Sequence, residues 1–156
     1  MNYKISPNPS LPKRGTKREL EEEPGVFGSG IDIEELSRFD KYTENNDYSF
    51  MENYCTEHEL INLCDDNRVR FALSFSCKEA FFKALGESWT NSNILWTDIE
   101  LLFDGPGFDN YRVLVHNYAK ELLEKNNAGI GETSFDYNEE FVMFQVILLH
   151  NHNDHL

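Results

Sequence analysis

No stretch of this chain is apolar for the roughly 18 to 20 residues that a membrane-spanning helix needs, and its N-terminus carries charges and prolines where a secretion signal needs an apolar segment. A cytosolic protein is expected. Cysteine is scarce: Cys55, Cys64 and Cys77 form an odd set without a CxxC pair, which argues against a disulfide framework or a thiolate zinc site and suits reduced thiols. Positive charge is scarce as well. With 14 Lys and Arg against 28 Asp and Glu the formal charge is -14, whereas a non-specific hold on nucleic acid or on an anionic membrane depends on the opposite sign. Neither partner is expected. No internal repeat is visible, so two fused halves are not the architecture.

What is present suffices for one core. The 156 residues are 40% hydrophobic, with 12 Phe and 7 Tyr, enough for a single packed domain. Residues 1–25 hold four of the five prolines, the doublets Lys13-Arg14 and Lys17-Arg18, and an acidic block from Glu19 to Glu23, a composition that buries little and reads as a flexible extension. The domain is placed at 26–150. A polar tail at 151–156 follows, and the histidines at 150, 152 and 155 belong to that polar end rather than to a metal site.

Within the domain, Val26 to Ile33 reads as a glycine-broken strand and Glu34 to about Phe39 as a short helix. Thr56 followed by Glu59 forms a capping box at the start of a helix ending near Asp65-Asp66. Apolar residues at helical spacing from 68 to 85, closed by Gly86, predict the longest helix and the spine of the domain. Trp96–Phe103 and Tyr111–Val115 read as a hairpin around the turn Asp104-Gly105-Pro106-Gly107. A short helix at Tyr118–Lys125 and a buried last strand at Phe141–Leu149 complete a mixed α+β layout. Trp89 and Trp96 are expected as core anchors, and Cys77 as a packed, unreactive thiol.

Two segments carry possible chemistry. Glu79 and Lys83, four apart, share a helix face with Ser76 one turn before, which taken alone is a surface ion pair. Asp32, preceded by glycines that let a ligand approach the backbone, is a place for a hard cation or a phosphate. Together Asp32 and Glu79 would supply the one or two carboxylates with which magnesium is usually held, with Lys83 as a point charge for a diphosphate.

Gly30-Ile31-Asp32, followed by Phe75-Ser76-Cys77-Lys78-Glu79-Ala80-Phe81-Phe82-Lys83-Ala84, resembles the paired signature of the 4′-phosphopantetheinyl transferases. Glu35, Arg38, Thr56 to Leu60, Trp96 to Leu101, the Gly-Pro turn, Ala119 to Leu122 and Gln145 to Leu148 are similar to the single-domain, holo-acyl-carrier-protein synthase branch. The resemblance covers about residues 28–149 and implies that branch's fold, an antiparallel sheet packed on a long helix. It also implies a magnesium-dependent reaction in which a carrier-protein serine attacks the β-phosphorus of coenzyme A and adenosine 3′,5′-bisphosphate leaves. Carried over, Asp32 and Glu79 would bind magnesium, and Glu79 and Lys83 would be catalytic. Lys78, Lys83 and Ser134 would contact coenzyme A, although Lys78 points about 100° away from Glu79 on a helix. Arg38, with Arg68 and Arg70 nearby, would meet the acidic face of an acyl or peptidyl carrier protein. The branch's assembly is a homotrimer, with the site between subunits.

The chain departs from the branch where a Ser-x-Ser-His run normally leads into the last strand, since Ser134-Phe135-Asp136-Tyr137 stands there, and an aspartate beside a polyphosphate repels it unless a cation intervenes. The usual arginine before the lysine-glutamate motif is replaced by Ser74-Phe75. A non-catalytic binding or assembly protein that keeps the fold is the alternative reading; a chain that works beside a different half-domain is a third.

Overall fold

The computed structural model describes residues 25–43, 48–63, 67–88, 90 and 92–151. The extension before Gly25, Cys64, the Asp65-Asp66 helix end, Trp89, His152 and His155 lie outside them. Strand β1 (Val26–Glu35) leads into α1 (Ser37–Thr43), α2 (Tyr48–Glu52), α3 (Glu57–Asn62) and the long α4 (Asn67–Leu85). A 3-10 turn at Trp96–Asp98, the hairpin β2 (Ile99–Phe103) and β3 (Tyr111–Val115), α5 (Asn117–Lys125), and the hairpin β4 (Ala128–Tyr137) and β5 (Phe141–His150) follow. Both sheets are antiparallel, one in the order β1-β5-β4 and the other β2-β3. The architecture is α+β.

Helix α4 is the axis of this arrangement. Its apolar side chains from Phe71 to Ala84 are buried on nearly every side, because the three-stranded sheet covers one flank and α1 and β2 cover others. It ends where Gly86 takes φ +69°, a left-handed value that glycine adopts without a Cβ clash. The Gly86 amide then donates to Lys83 O at 3.1 Å and the Glu87 amide to Phe82 O at 3.0 Å, which satisfies carbonyls the helix would leave open.

Strand β1 lies so close to α4 that a methyl group on Gly30 would collide with the Ala80 carbonyl oxygen and stand 2.7 Å from the Ala84 amide nitrogen. Glycine is therefore what lets strand and helix backbones touch, and it fixes the height of Asp32 over the helix. The residues on this inner side of β1 are Gly30, Asp32 and Glu34, while Ile31 and Ile33 face outward, 49% and 60% exposed. The usual burial pattern is inverted there.

Helix α3 completes the free edge of β2 with side chains. Thr56 caps it as predicted, accepting from the Glu59 amide at 3.1 Å while Glu59 Oε2 accepts from the Thr56 amide at 2.9 Å. Glu59 Oε1 then accepts from the Leu101 amide at 2.9 Å, and the Asn62 amide group exchanges two bonds with Phe103, each 2.8 Å. Two side chains thus take the place of a neighbouring strand.

Several boundaries differ from the sequence reading. Helix α1 begins only at Ser37, because Glu34 and Glu35 extend β1 in register with Val142 and Phe141. The β2 strand begins at Ile99, three residues of 3-10 turn after Trp96, with the Leu95 amide bonded to Asp98 Oδ2 at 3.1 Å. Helix α3 stops at Asn62. Strand β4 escapes a pattern search because it is an edge strand with most of its side chains exposed. Trp96 packs against Tyr54, Phe75 and Phe82 as an anchor should. Burial pushes the Cys55 thiol up to about 12 and the Cys77 thiol higher still, so both stay protonated and inert.

Candidate active site

The inner face of β1 and one face of α4 meet at Asp32. Its side chain is 10% exposed and its Oδ1 accepts from Lys83 Nζ at 2.7 Å. The same ammonium reaches over the strand edge to the Ile31 carbonyl at 3.1 Å, and Ser76 Oγ holds the Asp32 carbonyl at 3.1 Å. Lys83 therefore pairs with Asp32, 51 residues away in sequence, in place of the surface pair with Glu79 that spacing alone suggests.

The second oxygen of Asp32, Oδ2, is buried and has no hydrogen-bond partner among the described residues. A buried carboxylate oxygen in this state costs free energy, on the order of 1 to 3 kcal/mol or more. Around it stand two further carboxyls. Burial, and then the charge of Asp32, push the Glu79 carboxyl above its usual range, and Glu34 is raised by the same two causes in the same order. Three carboxyls thus share this pocket with the Lys83 ammonium and the Arg38 guanidinium.

The donor set suits magnesium. Among the described residues no group of three or more Asp, Glu, His or Cys side chains is arranged to hold a metal unaided. Magnesium rarely asks for that, since it takes one or two carboxylates and fills its octahedron with water and substrate phosphate oxygens. Asp32 and Glu79 are the expected ligands, and the structure sets them together with Lys83. Glu34 is the neighbour the sequence reading missed. Period-two alternation from Asp32 puts it on the same strand face, and that was the available signal.

Other expected site residues lie elsewhere. Lys78 is fully buried, bonded to Glu59 Oε2 at 2.8 Å, to Trp96 O at 3.0 Å and to Ile99 O. It staples α4 to α3 and β2. Arg70 is also interior. Its guanidinium donates to Asn62 O, Gly105 O and Gly107 O at 2.8, 2.6 and 3.0 Å and lies over the rings of Phe103 and Phe108, so it clamps the β2-β3 turn instead of facing a carrier protein. Arg68 is partly exposed and bonded to Asp40 at 3.0 Å; Arg38 is exposed and bonded to Glu34. Ser134 sits on the outer face of the sheet, in one row with Gln145 and Ile31, and is not brought to Asp32 within the chain.

Comparison with known proteins gives the family of the chain. The model of the 4′-phosphopantetheinyl transferase superfamily matches residues 28–128. A holo-[acyl-carrier-protein] synthase of Geobacter sulfurreducens is 36% identical over 125 residues, covering 79% of this chain and 97% of that protein. Among solved structures, a holo-(acyl-carrier-protein) synthase of Bacillus anthracis in complex with CoA (3′,5′-ADP) superposes with a TM-score of 0.63 at 26% identity, over 81% of this chain and 98% of that one. The holo-ACP-synthase of Plasmodium yoelii, 20% identical, shares the fold with a TM-score of 0.66 over 84% of this chain and 100% of its own. With its sequence match spanning both motifs and its fold shared over more than four fifths of its length, this chain belongs to the 4′-phosphopantetheinyl transferase superfamily.

Proposed function

We propose that the protein transfers the 4′-phosphopantetheine arm of coenzyme A to a serine of an acyl or peptidyl carrier protein, with magnesium at Asp32 and Glu79. The observation that supports the magnesium assignment is the buried, partnerless Oδ2 of Asp32 beside two carboxyls raised by burial and by the charge of Asp32. A protein that only bound partners would gain nothing from keeping it.

When bound, magnesium would supply charge neutralisation at the diphosphate. The chain's own residues do the rest. Lys83 offers its ammonium, half exposed, to a phosphate oxygen while Asp32 keeps it in place. Glu79 takes the serine proton as the bond from serine Oγ to the β-phosphorus forms and the bond from that phosphorus to the departing bisphosphate breaks. Glu34 holds Arg38 at the mouth of the site.

Self-association belongs to the same proposal. Ile31 and Ile33 lie beside Gln145 and Met143 on the outer face of the sheet, and Phe141 there is 42% exposed. Such a face favours burial against further copies, a trimer in this reading, which would also bring Ser134 of that face toward a neighbouring copy's site.

Calorimetric titration with coenzyme A, with and without magnesium, tests the assignment together with mass spectrometry of an apo carrier protein. Magnesium-dependent binding that disappears in Glu79→Ala, and a phosphopantetheine mass gain on the carrier, are expected. No binding at millimolar ligand together with no mass gain on the carrier would overturn it.

A further inference from the structure

Helix α4 grips the backbone of β1 on both sides of the Asp32 Cα. Lys83 Nζ donates to Ile31 O at 3.1 Å, and Ser76 Oγ donates to Asp32 O at 3.1 Å. Ser76 and Lys83 lie two turns apart on one face of α4, with Glu79 between them on that face. A serine inside a helix commonly turns its hydroxyl back to a carbonyl of its own preceding turn. Ser76 instead reaches a strand 44 residues away in sequence. Strand β1 is an edge of the three-stranded sheet and pairs with β5 on one side, so these bonds from α4 secure its other side.

The two grips are unequal. Lys83 is half exposed, divides its ammonium between Ile31 O and Asp32 Oδ1, and in the proposed reaction also faces a phosphate oxygen. Ser76 is fully buried, so neither water nor a ligand competes for its hydroxyl. It is the restraint that persists when a diphosphate draws the ammonium away. The contact at Gly30 sets the height of β1 over α4, and the Ser76 bond sets the orientation of the peptide that follows Asp32. An ion held by only one or two carboxylates depends on where each of them points more than an ion in a full protein cage does.

We infer that Ser76 is a positioning residue for the metal: acting through the Asp32 carbonyl, its hydroxyl fixes the direction in which the Asp32 carboxylate is presented. The inference rests on the magnesium reading above. It assigns Ser76 to metal affinity and not to the transfer step itself.

Manganese(II), a paramagnetic stand-in for magnesium at oxygen ligands, provides the test. It is titrated into the full chain with saturating coenzyme A, and binding is followed as loss of the free ion's electron paramagnetic resonance signal. Ser76→Ala should raise the manganese Kd about tenfold. Ser76→Cys, which keeps the side chain's size but offers only a weak donor, should do the same and serves if the first variant does not fold. Ser74→Ala is the control. Ser74 is also buried on α4, but it points about 200° round the helix from Ser76 and its hydroxyl donates to Glu59 Oε1. Its loss should lower the melting temperature and leave the manganese Kd within about twofold of wild type. In the transfer assay, Ser76→Ala should need about tenfold more magnesium for half-maximal rate, with kcat at saturating magnesium within about twofold of wild type. A manganese Kd unchanged in the Ser76 variants, or raised equally by Ser74→Ala, would overturn this inference alone. Wild-type protein that takes up no manganese in the presence of coenzyme A would overturn the magnesium reading and this inference with it.

Discussion

Replacing Gly30 with alanine adds one methyl group at the point where strand and helix backbones touch, and the structure sets the size of the response. The new Cβ would collide with Ala80 O and lie 2.7 Å from Ala84 N and 3.0 Å from Ala80 C, all backbone atoms of α4 that cannot rotate aside. Strand β1 must therefore retreat by about an ångström, and overpacking of this kind costs about 3 kcal/mol, at the upper end of its usual range because no side chain can absorb it. For a domain of this length each kcal/mol moves the melting temperature by about 2 to 4 °C, which gives a drop of about 6 to 12 °C. The retreat also lifts Asp32 from Lys83 and from Ser76, whose bonds at 2.7 and 3.1 Å have no slack for it, so magnesium-dependent coenzyme A binding should fall in parallel. Gly107→Ala is the control. Its Cβ would approach nothing nearer than Asp109 Oδ2 at 4.0 Å, and it should melt close to wild type. Thermal denaturation and coenzyme A titration of the three proteins decide the matter; a Gly30→Ala protein within about 2 °C of wild type would refute the argument that the contact fixes the site.

Asp32→Asn should abolish magnesium-dependent coenzyme A binding in calorimetry and yet leave the apo protein as stable as wild type or about 1 kcal/mol more so, because the buried partnerless oxygen becomes a donor beside Glu34 and Glu79. Lys78→Met leaves Glu59 buried without its cation and should cost about 3 to 5 kcal/mol in urea denaturation, with the coenzyme A affinity of the folded protein unchanged; a selective loss of affinity would restore Lys78 as a coenzyme contact. Glu34 and Glu79 titrate above their ordinary 4.5 in the folded chain, so the folded state binds those protons more tightly than the unfolded state does. The stability this confers is complete below that ordinary value and is lost as pH rises through the raised ones. Magnesium, which needs the ionised forms, should therefore raise the melting temperature more at pH about 8 than at pH about 5, and a larger effect at the lower pH would contradict the site.

Much of this protein was legible in its sequence because local rules wrote it there. Helical spacing from 68 to 85 and a glycine able to take φ +69° defined α4, the Thr56-Glu59 capping box started α3, and the Asp-Gly-Pro-Gly turn joined β2 to β3. Asp32, Glu79 and Lys83 were nominated together from the order of two short motifs, and the structure brings Lys83 onto Asp32. Lys78 and Arg70 could not be placed that way. On a helix buried nearly all round, no periodic pattern says which face meets solvent, and the partners that make a buried cation tolerable, Glu59 for Lys78 and the Gly105 and Gly107 carbonyls for Arg70, come from 19 to 37 residues away. The partner of Lys83 was likewise a tertiary decision, since a glycine contact brings β1 within its reach and offers Asp32 in place of the nearer Glu79. The sequence alone nominated groups that could do chemistry; close packing of a strand on a helix decided which of them meet, because ion pairing inside a fold follows distance in space.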